Sequence, residues 1–164
     1  MADNLVQVFQ ADYGNPVHAQ ALVQLLDMYA QDPMGGNKGL SDFAKQHLVA
    51  ELARRPPAFS VLALAGGTPA GLVNCFEGFS TFACKPLVNV HDLAVSPQFR
   101  GQGLATKMLA LVAQIAQQRG ACKLTLEVLQ GNATALRTYT QAGFAGYQLN
   151  ATAGQAVFLQ KWLE

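Results

Sequence analysis

The stretch Gln98-Phe99-Arg100-Gly101-Gln102-Gly103-Leu104-Ala105 joins an apolar run to an amphipathic pattern, and its reading decides the fold. Ahead of it, Leu87 to Val95 reads as a strand that leaves through Ser96-Pro97. Behind it, Leu104, Met108, Leu111, Val112 and Ile115 share one helical face, which Gly120 ends. Glycines at 101 and 103 let the backbone turn tightly and let a ligand come close. Successive N–H groups at the positive end of the helix dipole then make a phosphate site out of main chain. Arg100 and Lys107 add charge to it. A plain strand–helix turn is the competing reading. Position 106 is Thr where a dinucleotide fingerprint has its third glycine, and no P-loop Gly-Lys-Ser/Thr is present.

Outward from this turn the chain reads as alternating elements. A strand at Val6 to Gln10 precedes a helix that Asn15-Pro16 begins, with Leu22, Leu25, Leu26 and Tyr29 at helical spacing. Asp32 to Gly39 is rich in Gly and Pro and reads as a mobile loop. A second helix starts at Ser41-Asp42 and stops before Pro56-Pro57. The runs Phe59 to Ala65, Ala70 to Phe79 and Leu87 to Val95 are separated by short turns, which makes an antiparallel meander. After the helix at 104, Cys122 to Leu129 reads as a strand and Asn132 to Gln141 as a helix ending at Gly143. Two last strands are expected near Ala145 to Leu149 and Gln155 to Trp162. The order β-α-α-β-β-β-α-β-α-β-β predicts one mixed α/β domain over residues 1–164. Its twisted, largely antiparallel sheet has about seven strands and four helices.

Composition narrows the function. Half of the 164 residues are apolar and 13% are charged, which excludes a disordered chain. A net charge of +1 gives no global field for gathering nucleic acid or anionic lipid, so neither is expected as a partner. No apolar stretch approaches the ~20 residues of a membrane span. Met1-Ala2-Asp3-Asn4 lacks the basic-then-apolar layout of a signal peptide. Cys75, Cys84 and Cys122 are odd in number and lack metal-ligand spacing, so each reads as a small buried hydrophobe and no metal is expected. Together these features suggest a reduced, cytoplasmic protein.

Gln98-x-x-Gly101-x-Gly103 resembles the Q/R-x-x-G-x-G/A signature of the GNAT superfamily of acyl-CoA-dependent N-acyltransferases. Asp92-Leu93-Ala94-Val95-Ser96-Pro97 is similar to that family's fourth strand and its exit. Asn132, Tyr139 and Gly143-Phe144 resemble its second motif, N-x6-Y-x3-G-F. The resemblance extends over almost the whole chain. It implies a sheet splayed between strands four and five, and acetyl-CoA as co-substrate. The backbone of Gln98, Phe99, Arg100, Gly101, Gln102, Gly103, Leu104, Ala105 and Thr106 would hold the pyrophosphate. Leu93, Ala94 and Val95 would pair with the pantetheine arm through their main chain. Asn132 would touch that arm, and Tyr139 would lie near the thioester sulfur.

Acyl transfer to an amine needs a neutral nucleophile, donors for an oxyanion and a proton for the departing thiolate. Tyr139 suits the last task, while core packing beside Leu136 is its alternative. His91 and Asp92 are candidates for the base. Val88 and Val90 share one face of their strand and Leu93 and Val95 the other, so the apolar phase switches at 91–92. A β-bulge there explains the switch and opens the strand for a ligand. Polyamine acetyltransferase-like members, which this strand resembles, carry an acidic pair at these positions, whereas here the first is His91. A histidine serves as a base near neutral pH, and a hydrogen-bonded structural histidine is the equal alternative.

The resemblance implies an acceptor site between the first helices and the loops around strands three and four. Asp27, Asp32 and Glu77 would attract a cation, and Phe79 and Phe82 would wall an apolar pocket. The two phenylalanines also fit a homodimer interface or packing beneath the hairpin. Glu127, beside Thr125 on the polar face of the fifth strand, would bind a water or the amine, or is simply solvated. The resemblance to polyamine and thialysine acetyltransferases favours direct acetyl transfer to a primary amine of a small molecule. A protein or peptide N-acetyltransferase and a non-catalytic acyl-CoA-binding regulator are the other readings.

Overall fold

A computed structural model of the protein describes residues 5–163, so Met1 to Asn4, where no leader was read, lie outside it. Its elements run β1 (Val6–Gln10), α1 (Pro16–Gln31), α2 (Asp42–Ala53), β2 (Ala58–Ala65), β3 (Thr68–Ser80) and β4 (Lys85–Val95). A 3₁₀ turn (Pro97–Phe99), α3 (Leu104–Gln118), β5 (Leu124–Leu126) and α4 (Ala133–Gln141) follow. Contacts divide the chain into two compact units, which meet between Leu126 and Glu127.

In the first unit the strands stand in chain order, β1-β2-β3-β4-β5. The first three pairings are antiparallel and β4–β5 is parallel. The expected caps start the helices. Asn15 Oδ1 accepts from Val17 N at 2.9 Å, with Pro16 in the first turn. Ser41 Oγ accepts from Ala44 N at 3.1 Å. Alternate residues of β3 serve two cores. Leu72 joins Leu62, Ala58, Leu52, Leu22 and Leu25 beneath α1 and α2. Gly71, on the opposite face, lies against Met108 of α3, which is fully buried. Helices therefore cover both faces of the sheet, and truncating a leucine such as Leu72 to Ala costs about 2–5 kcal/mol.

The β3–β4 register shifts between Asn74 and Cys75. Asn74 pairs with Asp92 and Cys75 with Val90, so His91 is an extra residue on β4. This is the bulge expected from the phase switch. It places Val88, Val90, Leu93 and Val95 opposite Glu77, Cys75, Val73 and Gly71, all on the α3 face.

The bulge also limits β5. The β4–β5 ladder joins Val88, Asn89 and Val90 to Leu124, Thr125 and Leu126, and ends where the bulge turns the edge of β4 away. The strand expected over Cys122 to Leu129 is therefore three residues long.

In the second unit, Asn132 Oδ1 accepts from Ala135 N at 3.1 Å and caps α4, and Phe144 N bonds the Tyr139 carbonyl. Among the described residues the sheet has five strands, not the seven expected. Residues 145–149 and 155–162 form one isolated bridge, Gln148 with Gln155. Asn150 Oδ1 gathers Thr152 N and Ala153 N into the turn between them. One bridged pair makes no ladder, and a two-stranded hairpin alone is marginal in water. The Val157-Phe158-Leu159 run also lacks the polar alternation of a half-buried strand.

Candidate functional site

The chain leaves β4 through Pro97–Phe99, whose turn closes with Phe99 N on Ser96 O and Arg100 N on Pro97 O. Gly101 and Gly103 follow at φ +75° and +74°, a region that favours glycine. A Cβ built on either would meet nothing within 4 Å, so the space before this backbone is open. Gly103 is the N-cap of α3 and offers no side chain to it. By contrast α1, α2 and α4 are capped by Asn15, Ser41 and Asn132. The first-turn N–H groups of Leu104, Ala105 and Thr106 have no intrahelical acceptor by helix geometry, and they carry the positive end of the dipole. These residues fit an anionic pyrophosphate.

Arg100 is engaged elsewhere. Its Nε donates to the Val95 carbonyl at 3.1 Å and its Nη2 to Asp32 Oδ2 at 2.9 Å. Asp32 also accepts Met34 N on Oδ1, while its carbonyl takes Gly35 N, Gly36 N and Asn37 N. These bonds, led by that of Met34 N and then Arg100, hold its carboxyl below the usual carboxylate range. Asp27 likewise accepts Leu40 N and pairs with Lys45 at 3.1 Å, which lowers its pKa. The segment Asp32 to Gly39, expected as a mobile loop, is thus latched to the end of α1, as is Leu40 after it.

A cleft of about 360 Å³ opens between α1, α2 and the bulge, and Gly35 and Leu40 of that loop form part of its wall. Its other walls are largely apolar: Leu26, Leu48, Leu52 and Phe76. Its polar end holds His91, Asp92, Asn74 and Tyr29. The His91 ring stands edge-on to Phe76, with centroids 5.3 Å apart. Asp92 is anchored by a relay across the sheet. Asn74 Nδ2 donates to Asp92 Oδ2 (3.0 Å), Ser60 Oγ to Asn74 Oδ1 (2.6 Å), and Tyr13 OH meets Ser60 Oγ (2.8 Å). Burial pushes the Tyr29 hydroxyl pKa up, and the Asp92 and Asp32 carboxylates reinforce the shift, so Tyr29 stays a neutral donor.

His91 and Asp92 thus come together at the bulge, and Leu93, Ala94 and Val95 lead from there to the glycine turn. The other expected residues are placed differently. Glu77 pairs with Arg119 at 3.2 Å on the α3 face. Phe79 and Phe82 are exposed near the β3–β4 turn, Phe82 completely. Glu127 is exposed just past β5. In the second unit, Asn132 caps α4, and half-buried Tyr139 packs edge-on to Phe144 at 6.0 Å. Cys75 is buried, and burial pushes its thiol up to about 12. Cys84 and Cys122 are exposed, against the expectation that all three cysteines are buried. Cys84 sits in the β3–β4 turn at φ +50°, and Cys122 precedes β5, so neither reaches a core. No cluster able to hold a metal occurs among the described residues. No helix among them is long and apolar enough to cross a membrane.

Sequence reading missed the relay and Tyr29. One signal existed: Ser60 and Asn74 are polar residues inside two adjacent apolar runs, and they are register partners.

The family model for the acetyltransferase (GNAT) family matches residues 21–144. A streptothricin acetyltransferase of Streptomyces lavendulae is 36% identical over 70 residues, which cover 43% of this chain and 37% of that protein. A thialysine N-epsilon-acetyltransferase of Caenorhabditis elegans is 33% identical over 78 residues, 48% of each chain. The chain thus spans about half or less of the length of these curated relatives. The solved structure of an aminoglycoside N-acetyltransferase in complex with CoA superposes at a TM-score of 0.75 with 18% identity. It covers 96% of this chain and 95% of that one, a likeness of fold. With the family model covering the glycine turn, the bulge and the capped helix of Asn132 alike, this chain belongs to the acetyltransferase (GNAT) family.

Proposed function

We propose that the protein is an acyl-CoA-dependent N-acetyltransferase that transfers an acetyl group directly to a primary amine of a small molecule. One observation carries the reading. The β4–β5 ladder ends at Val90, beside the bulge at His91, so among the described residues no strand pairs with that edge of β4 from the cleft to the uncapped start of α3, where only Arg100 Nε meets it, at the Val95 carbonyl. Bound acetyl-CoA supplies the activated acetyl thioester. Residues 98–106 hold its pyrophosphate, with Gly101 and Gly103 admitting the anion to main-chain N–H groups. Leu93, Ala94 and Val95 align the pantetheine arm. The cleft is small and walled by the 32–40 loop, which suits a small amine better than a peptide.

In the reaction a C–N bond forms as the C–S bond breaks. Asp92 draws the ammonium into place, and His91, at the same bulge, takes the proton that makes the amine nucleophilic. The proton for the departing sulfur comes from the Tyr139 hydroxyl and is made good by the second proton that the nitrogen gives up as it becomes an amide, and Asn132 contacts the arm. These two roles rest on the N-x6-Y-x3-G-F spacing.

Thiol release from acetyl-CoA with a panel of amines tests the reading. Tyr139→Phe is expected to lower kcat by about 10²-fold or more, with little change in the KM for acetyl-CoA. Undiminished kcat removes the acid role. Absence of a melting shift with acetyl-CoA removes the binding site itself.

A further inference from the structure

The cleft is built for one positive charge. Of its lining side chains only Asp92 is a carboxylate, and Asn74 already occupies its Oδ2. The acids next in the chain to its lining residues are in ion pairs: Asp32 with Arg100, Asp27 with Lys45, and Glu51 with Arg54 and Arg55. Glu77 is held by Arg119 on the other face of the sheet. Apart from the uncharged polar groups of Tyr29 and Asn74, the His91 ring and Gly35, the remaining wall is hydrocarbon from α1, α2, Leu40 and Phe76. About 360 Å³ is at the small end of ligand pockets.

We infer that the acceptor is a monoamine with an apolar body, an alkylamine or arylalkylamine, rather than a polycation. This rests on the proposed acetyl transfer and names its substrate class. The ammonium meets Asp92 at the bulge, where the free edge of β4 begins, and the body lies along Leu26, Leu48, Leu52 and Phe76. A second ammonium on a polyamine or aminoglycoside finds no carboxylate among those side chains. Burying a charge there without a partner is costly. The Phe76 ring, edge-on to His91, gives a flat wall to an aromatic body.

The test compares 2-phenylethylamine and hexylamine with spermidine and an aminoglycoside on the full chain. Transfer from acetyl-CoA and calorimetric binding with CoA present are both measured. The monoamines are expected to show at least 10-fold higher kcat/KM and tighter binding. Leu48→Asp, which adds a second carboxylate to the wall, should move that ratio at least 10-fold towards spermidine. Equal or better use of the polycations overturns the substrate class and leaves acetyl transfer standing. CoA binding without transfer to any of the four amines overturns both. Should Leu48→Asp fail to fold, the wild-type ratio decides alone.

Discussion

Asn74 Nδ2 donates to Asp92 Oδ2 across 3.0 Å from a side chain that is only 3% exposed. The relay behind this bond has a fixed sense. Ser60 spends its one proton on Asn74 Oδ1, so Tyr13 supplies the proton in its own contact with Ser60. Every donor points towards Asp92, as an acceptor-only carboxylate requires. Asn74→Leu removes the last donor and leaves the Ser60 hydroxyl without its acceptor. A loss of about 1–3 kcal/mol is expected, read as a fall of several degrees in Tm, together with a lower kcat/KM for the amine. An unchanged Tm would count against the relay.

Asp32 and Arg100 join the loop beside the cleft to the glycine turn. The folded-state pKa of Asp32 is depressed, so its contribution is complete at neutral pH. It is lost as the pH falls through the folded value, below the ordinary carboxylate range. Asp32→Asn should therefore lower Tm at pH 7 and make progressively less difference towards pH 3. A double-mutant cycle with Arg100→Gln should give a coupling of at most about 1 kcal/mol, because the pair is exposed. A Tm difference that persists unchanged at pH 3 contradicts the linkage.

Two glycines should respond differently to alanine. At Gly103 there is room for a methyl group, but φ is +74°, so the cost is conformational, about 1–2 kcal/mol. It should appear chiefly as weaker acetyl-CoA binding. At Gly35 the added Cβ would overlap the Tyr29 carbonyl oxygen, so the loop wall must shift. There the expected loss is in amine kcat/KM, with acetyl-CoA binding retained. Calorimetry and initial rates separate the two.

With its thiol pushed up to about 12 by burial, Cys75 is neutral and inert at pH 8. Cys84 and Cys122 are exposed. A disulfide reagent should titrate two thiols in the native protein and the third only after unfolding. Three fast thiols would contradict the burial of β3.

Much of this was readable before the structure, where the signal is local. Asn15-Pro16 and Ser41 announce their helices because capping is decided within one turn. The bulge shows as a change of phase between Val90 and Leu93. Pairing is not local in this way. The relay depends on Ser60 facing Asn74 across two strands, and neither strand alone states its register. The length of β5 depends on where β4 bends, and the last two segments have strand-like residues but only one bridge. Phe79, Phe82 and Glu77 are expected at the acceptor from the resemblance and from residue type, and none of them lines this cleft: Glu77 is on the α3 face and the two phenylalanines are exposed near the β3–β4 turn.

The extra residue in β4 has a consequence for how such a site arises. Without His91 the strand would alternate regularly from Val88 to Val95 and pair with β3 in one unbroken register. The opening beside the cleft is thus a single-residue insertion in an otherwise ordinary strand. Deleting that one residue, rather than substituting any side chain, is the smallest change that would close it.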